Sequence, residues 1–261
     1  MNLFILFFLL IIIANHLFYW KNKQKPVNSI GNVEYHAHRG VQIGCPENTL
    51  QSYLSAVQND FDWIELDIIT SKDGVIVCSH NFDLECETNG VGYIHKLNYS
   101  MFKSIYTGTY LNKKSKNKIP TLSEVFKACG DKIGYNIEVK FSHPFDLKTA
   151  RALGTYLRTI KNKRIMVSSF NPFVILYFRI FYRPIKTAFL FENLELYWVV
   201  NIIHPTYIHP RIDVLNDKII KHAKNHNLGI NVWTANNYPV IEHLKRLDID
   251  GIITDVIPKH D

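Results

Sequence analysis

The segment Trp63-Ile64-Glu65-Leu66-Asp67-Ile68-Ile69-Thr70-Ser71-Lys72-Asp73-Gly74-Val75-Ile76-Val77-Cys78-Ser79-His80 decides how the chain is read. It begins as an apolar, β-rich run in which Glu65 and Asp67, two positions apart, project from one face of a strand. Adjacent carboxylates repel, so a cation or solvent has to keep them together. Asp73-Gly74 reads as a two-residue hairpin turn, and the register of such a turn brings His80 opposite Asp67. A paired-carboxylate face with an imidazole folded onto it outlines metal and acid–base chemistry. Taken alone, the segment is equally compatible with a surface hairpin carrying solvated charges.

Upstream, Val33 to Gly40 reads as a short strand ending in a glycine turn, which delivers His38 and Arg39 to the strand's end. Pro46-Glu47-Asn48-Thr49 then opens a helical face of Leu50, Tyr53, Leu54 and Val57. Downstream, residues 81–118 carry Asn89-Gly90, Gly92, Gly108 and the lysines 113, 114, 116 and 118, the composition of a loop-rich insertion. Thr121 and Glu124 stand at capping-box spacing before a helix that Gly130 stops.

Strand and helix patterns alternate from there. Strand-like stretches at Gly134–Lys140, Arg164–Phe170, Lys186–Phe191, Tyr207–Arg211, Gly229–Thr234 and Gly251–Asp255 are separated by helical ones at Phe145–Ile160, Pro172–Phe181, Leu194–Asn201, Asp217–Asn225 and Tyr238–Arg246. This order predicts parallel strands joined by crossover helices. About eight strands in a domain spanning residues 33–261 point to a closed α/β barrel of the TIM type, (β/α)8, with residues 81–118 inserted at one mouth.

The bulk numbers fit one such domain: 261 residues, 47% hydrophobic, with 30 Lys and Arg against 23 Asp and Glu for a net charge of +7. That excess suits phosphate-bearing or anionic partners, but scattered lysines are no nucleic-acid signature. The four cysteines, 45, 78, 86 and 129, have neither metal-ligand nor disulfide-framework spacing. Residues 3–20 are the exception to a soluble composition. Leu3 to Ala14 is unbroken apolar, and Leu17 to Trp20 resumes the run, which predicts an uncleaved transmembrane anchor with Tyr19 and Trp20 at the interface. Residues 21–32 then form a tether, and Lys21, Lys23 and Lys25 place the catalytic portion on the cytoplasmic side.

Glu138 and Lys140 repeat the two-residue spacing of Glu65 and Asp67 at the end of a predicted strand. In a barrel such ends share one rim, so Glu138 can join Glu65 and Asp67 as a third oxygen ligand for Mg2+ or Ca2+. His38 and His80 then become the candidate acid and base, and Arg39 and Lys140 the donors to an anion. This set suits phosphoryl transfer. No nucleophilic Ser or Cys motif and no phosphate-cradling glycine loop is present.

His38-Arg39-Gly40, Pro46-Glu47-Asn48-Thr49, Glu65-Leu66-Asp67, Lys72-Asp73-Gly74 leading to His80, Ile119-Pro120-Thr121-Leu122, Glu138-Val139-Lys140, Ser168-Ser169-Phe170, Asn231-Val232-Trp233-Thr234 and Asp250 to Asp255 form an ordered series. Over residues 33–257 it resembles the glycerophosphodiester phosphodiesterase family. The resemblance implies a metal-dependent barrel that cleaves glycerophosphodiesters to glycerol 3-phosphate and an alcohol through a cyclic phosphate. It implies that Glu65, Asp67 and Glu138 hold the metal and that His38 and His80 act as base and acid. Arg39 and Lys140 would bind phosphate, Glu47 would support the site, and Trp233 would line the substrate pocket. Two departures stand out: Asn81 replaces the family's usual acid after the second histidine, and an Arg-Thr-Thr-like stretch reads Cys86-Glu87-Thr88. Two other readings remain: a lysophospholipase D-like enzyme acting on lipids, with Phe173 to Tyr182 against the bilayer, and a catalytically silent phosphate-binding module.

Overall fold

The computed structural model describes residues 2–23, 33–161 and 164–258. Eight parallel strands close on themselves: β1 (Glu34–Ala37), β2 (Trp63–Thr70), β4 (Gly134–Val139), β5 (Ile165–Ser169), β6 (Lys186–Phe191), β7 (Tyr207–Pro210), β8 (Gly229–Val232) and β9 (Gly251–Thr254). Pairing of β1 with both β9 and β2 completes the TIM-type barrel. Strand β3 (Ile76–Cys78) is extra and runs antiparallel to the upper half of β2.

The barrel follows from residue pattern. Its strands are apolar on the outer face, where they meet α2 (Leu50–Gln58), α3 (Leu122–Cys129), α4 (Lys148–Leu157), α5 (Pro172–Phe181), α6 (Val200–Ile203), α7 (Asp217–His226) and α8 (Tyr238–Leu244). Thr121 caps α3 through the Glu124 amide while the Glu124 carboxylate accepts from the Thr121 amide, and Gly130 ends the helix at φ 68°. Inside, the floor is closed by Trp63, Met166, Ala188 and Tyr207, all buried against one another. Trp63 fits because its parallel neighbour is Gly134, where a Cβ would lie 2.3 Å from the indole.

The hairpin differs from the sequence expectation by one residue. Ile68 faces Cys78, Ile69 faces Val77 and Thr70 faces Ile76, so Ser79, not His80, stands opposite Asp67 and donates its amide to the Asp67 carbonyl at 3.1 Å. The cause is a three-residue connection. The Ser71 amide bonds the Val75 carbonyl at 2.9 Å, Ser71 Oγ donates to Asp73 at 2.7 Å, and Gly74 takes φ 90°. From residues 81–118, Leu84, Ile94 and Phe102 join Ile119 in a small core that packs on Ile69 and Val77.

The expected transmembrane anchor at residues 3–20 is also corrected. Helix α1 is Asn2–Phe18, 17 residues, and among the described residues no helix is long and apolar enough to cross a membrane. The apolar run does not continue through Trp20, because that residue turns onto the barrel. Its ring stacks on His204 at 4.0 Å and His226 at 4.5 Å, and its indole N–H donates to Asn201. Asn22 follows, donating its amide to His226 and its side chain to the Pro205 carbonyl at 2.8 Å. Pro205 leads into β7 and His226 precedes β8, so this dock is on the floor end of the barrel. From Ile5 to Ile13 the helix is exposed. Of the expected tether, residues 24–32 lie outside the described residues. In α5, Val174, Ile175 and Phe178 are buried on the barrel while Phe173, Ile180 and Phe181 are exposed.

Candidate active site

Strand alternation carries Trp63, Glu65 and Asp67 into the barrel interior one above the other, and Gly134, Asn136 and Glu138 beside them in register. The acids lie within β2 rather than at its end, because β2 runs on above the rim to pair with β3. Strand β1 stops at Ala37, and the next residue, His38, donates its amide to the Thr254 carbonyl at 3.0 Å. Arg39 and Gly40 then turn through φ 54° and 81°. A Cβ on Gly40 would lie 2.6 Å from the Ser52 backbone, so only glycine lets the turn close onto α2. That turn aims the Arg39 amide at Glu65 Oε2, 3.0 Å away.

Glu65, Asp67 and Glu138 bring one carboxylate oxygen each to within 4.8 Å of the others. Around Asp67 the cations converge: Arg39 Nε lies 3.3 Å from Oδ2 and Lys140 Nζ 3.3 Å from Oδ1. Lys140 also donates to Glu138 Oε1 at 2.8 Å, and Arg39 Nη1 to Glu47 Oε1 at 2.8 Å. His38 Nδ1 lies 2.8 Å from Asp255 Oδ1. His80 completes the wall. His38, Arg39, Glu65, His80, Glu138 and Lys140 line a cavity of about 250 Å³ with Phe170, Trp233 and Glu192, and Asp67 is buried beneath its cations. Trp233 is fixed by its indole N–H on the His209 carbonyl at 2.8 Å and by an edge contact with Phe170. A larger groove of about 760 Å³ between α2 and the insertion carries lysines and a single acid, so size does not identify the site.

Electrostatics separates the acids. Burial works against a charge on Asp67, but Lys140 and Arg39 outweigh it and hold the carboxyl well below its usual range. Glu65 is pushed up to about 8 by burial and by the Asp67 charge. Glu138 is raised by burial although Lys140 opposes the shift. Two of three neighbouring carboxylates thus resist ionisation without a further positive charge. Three convergent hard oxygens of this kind fit a divalent cation of the Mg2+ or Ca2+ class. The histidines also part. Burial opposes a charge on His38, yet the hydrogen bond to Asp255 and the Glu65 charge raise its pKa. His80 falls to about 4 through burial, with Lys140 and Arg39 adding to the fall and Asp67 opposing it.

Every residue named from the sequence is therefore at this one mouth, and two more belong with them. Asn48 donates its amide to Asp67 Oδ2 at 3.0 Å, while its carbonyl oxygen accepts from the Asp67 backbone N–H and from the Tyr53 hydroxyl. In the sequence Asn48 is only one residue of a helix start, and Thr49 does the capping. Asp255 was visible in the sequence as the end of the last strand and of the ordered series, without a role of its own. Asn48→Ala leaves a buried Tyr53 hydroxyl and a buried carboxylate each short of a partner. The expected outcome is about 1–3 kcal/mol of lost stability by urea denaturation and roughly 10- to 100-fold weaker Mg2+ binding by calorimetry. Unchanged metal affinity would remove Asn48 from the site.

Comparison with known proteins gives a consistent answer. A glycerophosphodiester phosphodiesterase of Caldanaerobacter subterraneus subsp. tengcongensis is 29% identical over 227 residues, covering 84% of this chain and 92% of that one. Another from Bacillus subtilis is 25% identical, covering 84% and 82%. Among solved structures, an Oleispira antarctica phosphodiesterase in complex with the product sn-glycerol-3-phosphate superposes with a TM-score of 0.79 at 23% identity, over 86% of this chain and 93% of that one. The glycerophosphodiester phosphodiesterase of Thermotoga maritima does so with a TM-score of 0.67 at 28% identity, over 86% and 95%. Residues 38–259 match the profile of the glycerophosphoryl diester phosphodiesterase family, and the chain belongs to that family.

Proposed function

We propose that this protein hydrolyses glycerophosphodiesters to glycerol 3-phosphate and an alcohol, with a divalent cation held by Glu65, Asp67 and Glu138. The observation that carries the reading is the convergence of these three acids beside a cavity that two of them, Glu65 and Glu138, line together with two histidines and two cations. A bound Mg2+ or Ca2+ supplies Lewis-acid stabilisation of charge on the phosphoryl oxygens. Arg39 and Lys140 add fixed positive charge to the same oxygens. Trp233 and Phe170 form an apolar wall suited to the glycerol carbons.

The surroundings of the histidines favour the reverse of the roles that the family resemblance implies. His38, paired with Asp255, keeps its proton and serves as the acid; His80, kept neutral by burial and nearby cations, serves as the base. In the first step His80 takes the proton of the glycerol 2-hydroxyl, that oxygen bonds to phosphorus, and the bond to the leaving alcohol breaks as His38 protonates it. In the second, His38 takes a proton from water, the water oxygen bonds to phosphorus, and the ring oxygen leaves with the proton of His80. Each histidine ends as it began. A nucleophile already on the substrate removes the need for one on the protein.

The exposed apolar surface of α1 supports a second element: we infer that this helix seats the chain in lipid, with the barrel on the cytoplasmic side. Its 17 residues reach only about 25 Å, less than the roughly 30 Å of a hydrocarbon core, so the seat is a partial one. Full-length protein should float with anionic liposomes and lose that behaviour in the Leu9→Glu, Ile12→Glu double variant. Equal flotation of both would reject it.

Glycerol 3-phosphate should appear when the protein meets glycerophosphocholine or glycerophosphoethanolamine, and EDTA should abolish its release. His38→Ala and His80→Ala should each lower turnover by roughly 10²- to 10⁴-fold with the fold intact. Turnover of lysophospholipid alone would favour the lysophospholipase D-like reading, and binding without turnover the silent module. The sign of the pH dependence follows from the pairing of His38 with Asp255. A raised pKa keeps the acid protonated to higher pH, so Asp255→Asn should move the alkaline limb of the rate profile downward. An unmoved limb would show that the proton resides elsewhere.

A further inference from the structure

His38 has its carboxylate, Asp255; among the described residues no carboxylate is hydrogen-bonded to His80. What faces it instead is a second cluster outside the metal ligands. Glu47, His80 and Glu87 each bring a nitrogen or carboxylate oxygen to within 4.8 Å of the others. Glu47 is spoken for, because its Oε1 accepts from Arg39 at 2.8 Å. Among the described residues no cation is in ion-pair contact with Glu87, and Arg39 acts on it only through space. Its side chain accepts instead from the amide of Asn81, the residue immediately after His80, at 2.6 Å.

The insertion is built to hold this carboxylate. Glu87 is buried, and the turn that carries it is tied on both sides. The Thr88 amide donates to the Leu84 carbonyl at 2.9 Å, the Cys86 amide to Asp83 Oδ1 at 3.1 Å, and the Gly108 amide to the Glu87 carbonyl at 2.7 Å. Thr88 and Thr107 form a bridge beside it. A carboxyl group kept out of water is costly unless something uses it, and the burial pushes Glu87 up to about 7, with the Glu47 charge adding to the rise.

We propose that Glu87 is the positioning residue of His80. Held by Asn81, its carboxylate fixes the orientation of the imidazole and selects the ring nitrogen that carries the proton, directly or across one bridging water. Glu87 and Asn81 thereby form a unit: the acid absent from position 81 is supplied from the insertion, six residues on, and the amide at 81 tethers it. The groups facing His80 on its other sides are Asp67, Lys140, Arg39 and His38. This assignment rests on the proposed role of His80 as a proton carrier.

The test uses full-length protein turning over glycerophosphocholine with saturating Mg2+. Glu87→Gln keeps the side-chain volume and a carbonyl for Asn81. It should lower kcat by roughly 10- to 100-fold, leave KM within about twofold, and shift the acid limb of the kcat profile. Moving the carboxylate next to the histidine, in the Asn81→Asp, Glu87→Gln double variant, should restore most of kcat. Wild-type kcat and acid limb in Glu87→Gln would overturn the proposal, as would a loss expressed in KM alone, which would make Glu87 a substrate contact. If Glu87→Gln lowers the melting temperature, the double variant decides: rescue of kcat at an equally low melting temperature supports positioning, and its absence overturns it. A failure of the proposed function itself would look different, because the unmodified protein would then release no glycerol 3-phosphate.

Discussion

A single buried carboxylate, Asp67, keeps its charge inside the barrel, and the site is organised around that fact. An ionised acid removed from water costs several kcal/mol unless opposite charge and hydrogen bonds meet it. Here Arg39 and Lys140 meet both of its oxygens and Asn48 meets one. Each partner brings further structure. Arg39 requires the left-handed turn after β1, which requires Gly40. Lys140 requires β4 to lie in register with β2, which the pairing of Trp63 with Gly134 allows. The same two cations, already placed by Asp67, face the space where a phosphate would sit, so stability and anion binding draw on one set of contacts.

The acids next to Asp67 are in the opposite situation. Glu65 and Glu138 sit within reach of a charge of their own sign, and the two local cations are shared among Asp67, Glu138 and Glu47. This shortage makes the three-oxygen cluster receptive to a divalent ion: three acids face two cations, and an ion would supply the positive charge that is missing. His38 and His80, on different strands' loops, differ likewise: His38 is hydrogen-bonded to Asp255, while His80 faces acids and cations together and its burial is what holds it neutral.

Much of this was legible in the sequence because side-chain alternation is a covalent property of a strand. Once β2 and β4 were recognised, the pairs Glu65/Asp67 and Glu138/Lys140 had to share a face, and a closed parallel barrel had to bring those faces together. What escaped depends on geometry that residue order does not encode. The hairpin register turned on whether the connection held two residues or three, and that was settled by Ser71 bonding Asp73 and Val75. Asn48 was legible only as part of a helix start, because its partner Asp67 is contacted only in the folded chain. Trp20 read as an interfacial aromatic because hydropathy cannot see the stacking site formed by His204 and His226, nearly two hundred residues away.

The floor made by Trp63, Met166, Ala188 and Tyr207 has a consequence for traffic. A vessel sealed underneath has one doorway, so a departing alcohol and the water that replaces it must pass the same threshold. The cleaved group therefore has to clear the doorway before hydrolysis can finish, and its size and stickiness would set how long the enzyme waits between its two half-reactions.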